Sequence, residues 1–182
     1  MRLPTQMFTG LMPRPAKLEP LRENSHPWKP GGGLWTSSFH EGTSGWVEWC
    51  RGERFRTERV RRPRQWLLDP LDVRVFAVAS ADDVERVFDE YGVDYRERLG
   101  LPRLDDGGPF SDVFPRWHYW TLDWERFVAD WDALWLASPW IPIGEEPLAM
   151  PLRMESVMFY GWDCESTWWA RWSFENVRRP GR

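Results

Sequence analysis

Asp163 and Glu165 sit one residue apart in the run Gly161-Trp162-Asp163-Cys164-Glu165-Ser166-Thr167-Trp168-Trp169. If this run is a strand, alternation puts both carboxylates on one face and Trp162 and Cys164 on the other. A carboxylate among large apolar rings costs free energy unless it is paired, protonated or used. Glu165 is therefore the first candidate for chemistry, with Asp163 beside it. The structural alternative is an ion pair between Glu165 and Arg171 or Arg153 across a sheet, a common arrangement that perturbs ionisation in the same way. The run names no reaction by itself.

Other constellations narrow the chemistry. His26, His40 and His118 are scattered without ligand spacing, and Cys50 and Cys164 have no nearby cysteine partners, which argues against a zinc site. There is no G-x-S-x-G elbow. Both cysteines neighbour tryptophan, which reads as buried, inert thiol. Gly31-Gly32-Gly33 follows Lys29-Pro30 and enters a strand rather than a helix, so it is neither a P-loop nor a dinucleotide fingerprint. Such a run either offers backbone N–H groups to an anion or simply gives a flexible approach to the strand. In Leu34–Phe39, Trp35 and Ser37 share one face and Thr36 and Ser38 the other. An aromatic beside a hydroxyl suits a planar ring carrying an amide or a sugar, and equally suits a half-buried strand with solvated hydroxyls.

These residues need elements to hold them. Met7–Leu11 predicts a short strand, and the prolines from Pro13 to Pro30 an extended loop. Leu34–Phe39 predicts a second strand and Ser44–Phe55 a helix, with Trp46, Trp49 and Cys50 on one side. Residues 56–65 read as a charged, exposed stretch. Val73–Ala79 is the clearest strand. Ser80 and Asp83 form a capping box ahead of Val84, Val87, Phe88 and Tyr91, predicting a helix over 81–91 that stops at Gly92. Asp105–Pro109 is a loop. A strand over Trp117–Leu122 follows, then a helix carrying Trp124, Phe127, Val128 and Trp131, and then a strand over Ala133–Ser138, with a continued helix as the alternative. Val157–Trp162 and Glu165–Phe174 read as one or two closing strands. Strands and helices mix without βαβ alternation, so the fold class is α+β: one domain over 1–182, with a mixed or split sheet, flanking helices, and frayed ends at 1–6 and 176–182.

Phe8-Thr9-Gly10 at a first strand, Gly33-Leu34-Trp35-Thr36-Ser37-Ser38 at a second, and Asp163-Cys164-Glu165 at a late strand occur in an order that resembles the ADP-ribosyltransferase superfamily. In that family the first strand bears His or Arg, the second a Tyr or a Ser-Thr-Ser run, and the late strand the catalytic Glu. The resemblance implies that Glu165 stabilises an oxocarbenium-like ribose as the nicotinamide bond of NAD breaks. It implies that Asp163 orients the acceptor or acts as base, and that Thr9, Gly10, Gly33, Trp35 and Ser37 contact NAD, with Trp35 stacking on nicotinamide. Gly32, Gly33 and Lys29 would lie near phosphate. The chain departs from the pattern at three places: Thr9 replaces His or Arg, Trp35 replaces Tyr, and Asp163 replaces Glu or Gln. The implied substrate is NAD, with no metal, and the acceptor is an unspecified protein or nucleic acid. Glu165, Trp35 and the Gly31–Gly33 loop lining one cleft would favour the enzyme reading, and Glu165 pointing away from them would count against it.

Composition sets the remaining bounds. The net charge of -4 argues against a generic nucleic-acid binder. Basic charge is local, in Arg51–Arg64 and Arg178–Arg182, which read as a solvated face and a terminal tail. No apolar run is long enough to span a bilayer, no signal peptide is evident, and two cysteines make a weak case for a disulfide. A cytoplasmic setting with no membrane partner is the expectation. Arginine far outnumbers lysine (only Lys17 and Lys29), and Trp, Pro and Gly are abundant. That usage points to a GC-rich bacterium or its bacteriophage, where a toxin or host-modifying protein fits. The 15 Trp suit a core, an aromatic cleft, or the interaction surface of a non-enzymatic assembly protein. A carbohydrate-binding module is a third reading, opposed by the missing signal peptide.

Overall fold

Strand-forming runs far apart in the chain assemble into one sheet in the computed structural model, which describes residues 1–22, 29–98, 100–101, 119–143, 150–151, 157–159 and 161–181. In chain order the strands are β1 (Gln6–Thr9), β2 (Glu19–Arg22), β3 (Gly31–His40), β4 (Thr43–Ser44), β5 (Gln65–Pro70), β6 (Val75–Val78), β7 (Gly92–Asp94), β8 (Trp120–Leu122), β9 (Ala133–Leu136), β10 (Pro142–Ile143), β11 (Met150–Pro151), β12 (Ser166–Trp169) and β13 (Phe174–Arg178). The helices are α1 (Gly45–Gly52), α2 (Ala81–Tyr91), α3 (Tyr95–Arg98) and α4 (Trp124–Asp130). The main sheet runs β13-β5-β1-β3-β12-β9-β6, with β2 and β4 also paired to β3. Within this sheet only β6 and β9 pair in parallel; the other pairs are antiparallel. This is an α+β fold with a mixed sheet and a few helices.

Local signals account for the helices. Ser80 caps α2, accepting from the Asp83 N–H while the Asp83 carboxylate accepts from the Ser80 N–H, and Val84, Val87, Phe88 and Tyr91 face inward. Asp123 caps α4 through the Arg126 N–H. The sheet explains the glycine run. Gly32 and Gly33 lie at φ +77° and +69°, and a Cβ on Gly33 would stand 2.3 Å from Trp168 Nε1. The run is thus part of β3, packed between β2 and Trp168, rather than an open loop.

Alternation sorts the core into two faces. On one, Phe76, Val78, Leu134, Leu136 and Trp168 join α2, α4, Phe159 and Trp162 in the largest cluster. The same face carries a second cluster at the β1–β5 end, where Met7 and Leu67 meet Val47, Cys50 and Val60. The opposite face gathers Leu68, Val75, Ala133, Trp169 and Phe174.

Several expectations are corrected. Residues 157–159 form a 3-10 turn, not a strand, and residues 161–165 precede β12 as a turn and bend with Gly161 at φ +87°. The closing stretch is two strands, β12 and β13, at separate places in the sheet. β2 occurs where an extended loop was expected, and β5 begins at Gln65, the end of the expected exposed stretch, in residues for which no element was expected. The ends are tied down: Leu3 is buried, the N-terminal ammonium pairs with Asp72, Arg2 pairs with Glu175, and residues 176–178 belong to β13. The Asp105–Pro109 loop, His26, His118 and Arg153 lie outside the described residues.

Candidate functional site

The three sequence patches meet on adjacent strands. β1 carries Thr9, β3 carries Trp35 to Ser38, and Glu165 immediately precedes β12, in the spatial order β1-β3-β12. Strand pairing stops at Thr167 opposite Thr36, and the Glu165 side chain continues the junction beyond it. Glu165 Oε2 accepts from the Ser37 hydroxyl at 2.8 Å and the Ser38 N–H at 2.8 Å. Oε1 accepts from the Ser38 hydroxyl at 2.8 Å and from Trp135 Nε1–H at 2.7 Å. A carboxylate has about four acceptor positions; Ser38 and Trp135 donors engage three, and the fourth shares the one Ser37 proton with the Glu165 carbonyl, 2.9 Å from Ser37 Oγ. Among the described residues no cation pairs with Glu165. Arg171 instead pairs with Asp132 at 2.6 Å, which removes the expected Arg171–Glu165 bridge.

Ser37 is itself held. It is buried, and its Oγ accepts from the Trp46 N–H in the first turn of α1 at 3.2 Å. On the opposite face Thr36 donates to Gln6 Oε1 at 2.7 Å and accepts from Trp169 Nε1–H at 2.7 Å. Gln6 Nε2 reaches Ser38 Oγ at 3.2 Å. This network fixes β1, β3 and β12 in register, so the serines cannot rotate freely.

A cavity of about 340 Å³ opens beside β1 and β3. That volume suits a small ligand or one end of a larger one. Its wall includes Thr9, Trp35, Trp46 and Asp163, with Lys29 and Cys164 beside them and Arg56 and Arg59 from the segment after α1. Trp35 packs edge-on to Trp162 with centroids 4.6 Å apart, and Lys29 Nζ lies 5.0 Å from the centre of the Trp35 ring. Burial lowers the Lys29 pKa, partly offset by the field of Asp163. Thr9 Oγ1 accepts from Trp46 Nε1–H at 3.1 Å, so the position at which the resemblance expects a cation holds an indole in place.

The expected site therefore divides. Asp163, Trp35 and Thr9 line the cavity, whereas Glu165 and Ser37 are absent from its described wall although Cys164 and Ser166 belong to it. Asp163 and Glu165 do not share a face as a strand would require, because the chain has not yet entered β12 at these positions. Gly10 is bonded to Arg64 O through its N–H and to Trp66 Nε1–H through its carbonyl, and Gly33 packs against Trp168; neither lines the cavity. The sequence reading missed Trp46, Arg56 and Arg59 as wall residues and Trp135 as a donor to Glu165. The i, i+3 spacing of Trp46 and Trp49 was visible, but which ring faced a cavity was not.

Burial raises both thiols, Cys50 to about 11 and Cys164 to about 12. Neither is a ready nucleophile at neutral pH. Among the described residues no group of three His, Cys, Asp or Glu side chains is arranged to hold a metal ion, and no helix is long and apolar enough to cross a membrane. No protein-family model, curated protein or solved structure matches this chain.

Proposed function

We propose that this protein transfers ADP-ribose from NAD to an acceptor. One observation carries the reading: three patches from distant parts of the chain converge on β1-β3-β12, with Ser37 bonded to Glu165. In this reading Trp35 stacks on the nicotinamide within the cavity, and Lys29 lies where it offsets phosphate charge. The bond from C1′ of the ribose to the nicotinamide nitrogen breaks, and its electron pair leaves with nicotinamide. An acceptor lone pair forms the new bond to C1′, and the acceptor proton passes to Asp163, the carboxylate in the cavity wall. Glu165 stabilises the positive charge that develops on the ribose. Because protein donors face all of its acceptor positions, a ribose hydroxyl reaches Glu165 only by replacing one of them, and Ser37, whose one proton is shared, is the donor on the cavity side of the sheet.

The same crowding of donors favours a second reading, a non-enzymatic binding protein in which Glu165 is a structural clamp. Nicotinamide release from NAD separates the two. Transfer predicts release by the wild type, loss in Glu165→Gln and Asp163→Asn, and weaker quenching of tryptophan fluorescence by NAD in Trp35→Ala. Absence of both release and quenching in folded wild-type protein overturns the transfer reading.

A further inference from the structure

Arg179 of the second basic run lies against the surface of the first. Between Arg51 and Arg64 there are seven arginines and only two acidic residues, Glu53 and Glu58, in a chain whose net charge is -4. All seven arginines are exposed. Among the described residues only Arg59 meets a carboxylate, Glu58 at 3.8 Å. Arg179 reaches back to this segment, donating to Pro63 O and laying its guanidinium over the Trp66 ring at 3.6 Å, while Arg178 pairs with Asp69. Solvation of a charged face explains isolated arginines, but not their concentration beside a cavity on an otherwise acidic protein.

Two further observations give the surface a direction. Arg56 and Arg59 are both in the cavity wall, so the basic face continues into the candidate site. Beside them, Trp46 and Trp49 stack with centroids 5.2 Å apart and carry Phe55, which is 39% exposed, against their edges. The backbone is left-handed at Arg54 (φ 55°) and Arg56 (φ 45°), where glycine would relieve the strain. Large cationic side chains are kept at a local cost of roughly 1 kcal/mol or more each.

We propose that this face binds a single strand of nucleic acid and presents it to the cavity as the acceptor. Exposed arginines beside a cavity, with half-buried Trp46 and Trp49 and the 39% exposed Phe55 next to them, offer charge and aromatic surface of the kind a flexible phosphate chain with stacking bases uses. An acidic protein surface would use the charges but not the rings. The proposal rests on the transfer reading for its chemistry: a ring nitrogen or hydroxyl of the strand bonds to C1′, its proton goes to Asp163, and nicotinamide leaves with its electron pair. Binding itself does not depend on that reading.

The test is fluorescence anisotropy of the full chain with a labelled DNA or RNA strand of about 20 nucleotides, long enough for one binding site, and a labelled polyglutamate of similar charge. Binding to the nucleic acid is expected to weaken steeply between about 50 and about 200 mM salt. The variant Arg51→Ser/Arg54→Ser/Arg61→Ser/Arg62→Ser, altered only outside the cavity wall, should lose at least about tenfold in affinity and flatten the salt slope by about 3. The matching four-lysine variant should restore binding. No binding by wild type, equal binding by the serine variant, or equally tight binding of polyglutamate overturns the proposal. None of these outcomes involves NAD, so nicotinamide release remains a separate test of transfer.

Discussion

Ser37 and Glu165 lie 128 positions apart, yet the Ser37 hydroxyl donates to Glu165 Oε2 at 2.8 Å. That contact joins the middle of β3 to the residue before β12, and Trp135 Nε1–H adds β9 from the other side. Catalytic and structural roles for Glu165 therefore make different predictions that can be measured separately.

Glu165→Gln replaces acceptor positions with an N–H₂ group facing donors. Leaving such donors unpaired costs about 1–3 kcal/mol, which at this size lowers the melting temperature by about 2–4 °C per kcal/mol. Ser38→Ala removes one donor and should cost about 1 kcal/mol. Calorimetry of both variants checks this. If nicotinamide release falls in Glu165→Gln far more than in an equally destabilised Ser38→Ala, the loss is chemical rather than structural.

Gly33→Ala should be among the most damaging single substitutions outside the cavity. The new Cβ would stand 2.3 Å from Trp168 Nε1 and 2.6 Å from Trp169 O, at φ +69°. Strain and forced repacking together should exceed about 3 kcal/mol. A melting temperature within a few degrees of wild type would contradict this packing.

Asp132 accepts from the Arg74 N–H at 3.1 Å and from Arg171 at 2.6 Å. Burial alone would raise its pKa, but hydrogen bonds from Arg74 and Arg171 outweigh burial and hold it below the ordinary 3.8. A depressed folded value means that the stabilisation is present above the unfolded pKa and is lost as pH falls through the folded one. Wild type should exceed Asp132→Asn by about 1 kcal/mol near neutral pH, and the gap should close below about pH 4. Urea melts at several pH values measure it.

Cys50 and Cys164, raised to about 11 and about 12, should resist alkylation by iodoacetamide at mild alkaline pH. Labelling should be at least about a hundredfold slower than in urea, because the folded thiolate is scarce. The linkage runs opposite to that of Asp132. Unfolded thiols ionise first as pH rises above about 9, so stability declines there. Rapid labelling of the native protein would place a thiol in a different environment.

Legibility of the sequence followed the range of the interactions involved. Helix α2 was readable because its cap, its stripe and its stop at Gly92 are all local. β5 was not, since Trp66-Leu67-Leu68 is a short apolar run after an arginine-rich stretch, and it becomes a strand only by pairing with β1 and β13. The order of the three patches was visible; their adjacency is a tertiary fact. The shared face expected for Asp163 and Glu165 failed because Gly161 turns the chain and pairing begins only at Ser166. Arginines that looked like solvated charge gained meaning only when the Arg179 end of the chain was found against Pro63.

The position of β12 has a consequence for how the molecule is made. β12 lies between β3 and β9, so the centre of the sheet is filled by residues synthesised after both of its neighbours. While the ribosome is still making them, β3 and β9 each present an open edge able to pair with another chain. Ser37 and Ser38 are made well before the carboxylate they bind. The nascent protein is therefore exposed to aggregation until β12 emerges, and a chain stopped short of β12 lacks both the middle of its sheet and the Glu165 half of its candidate site.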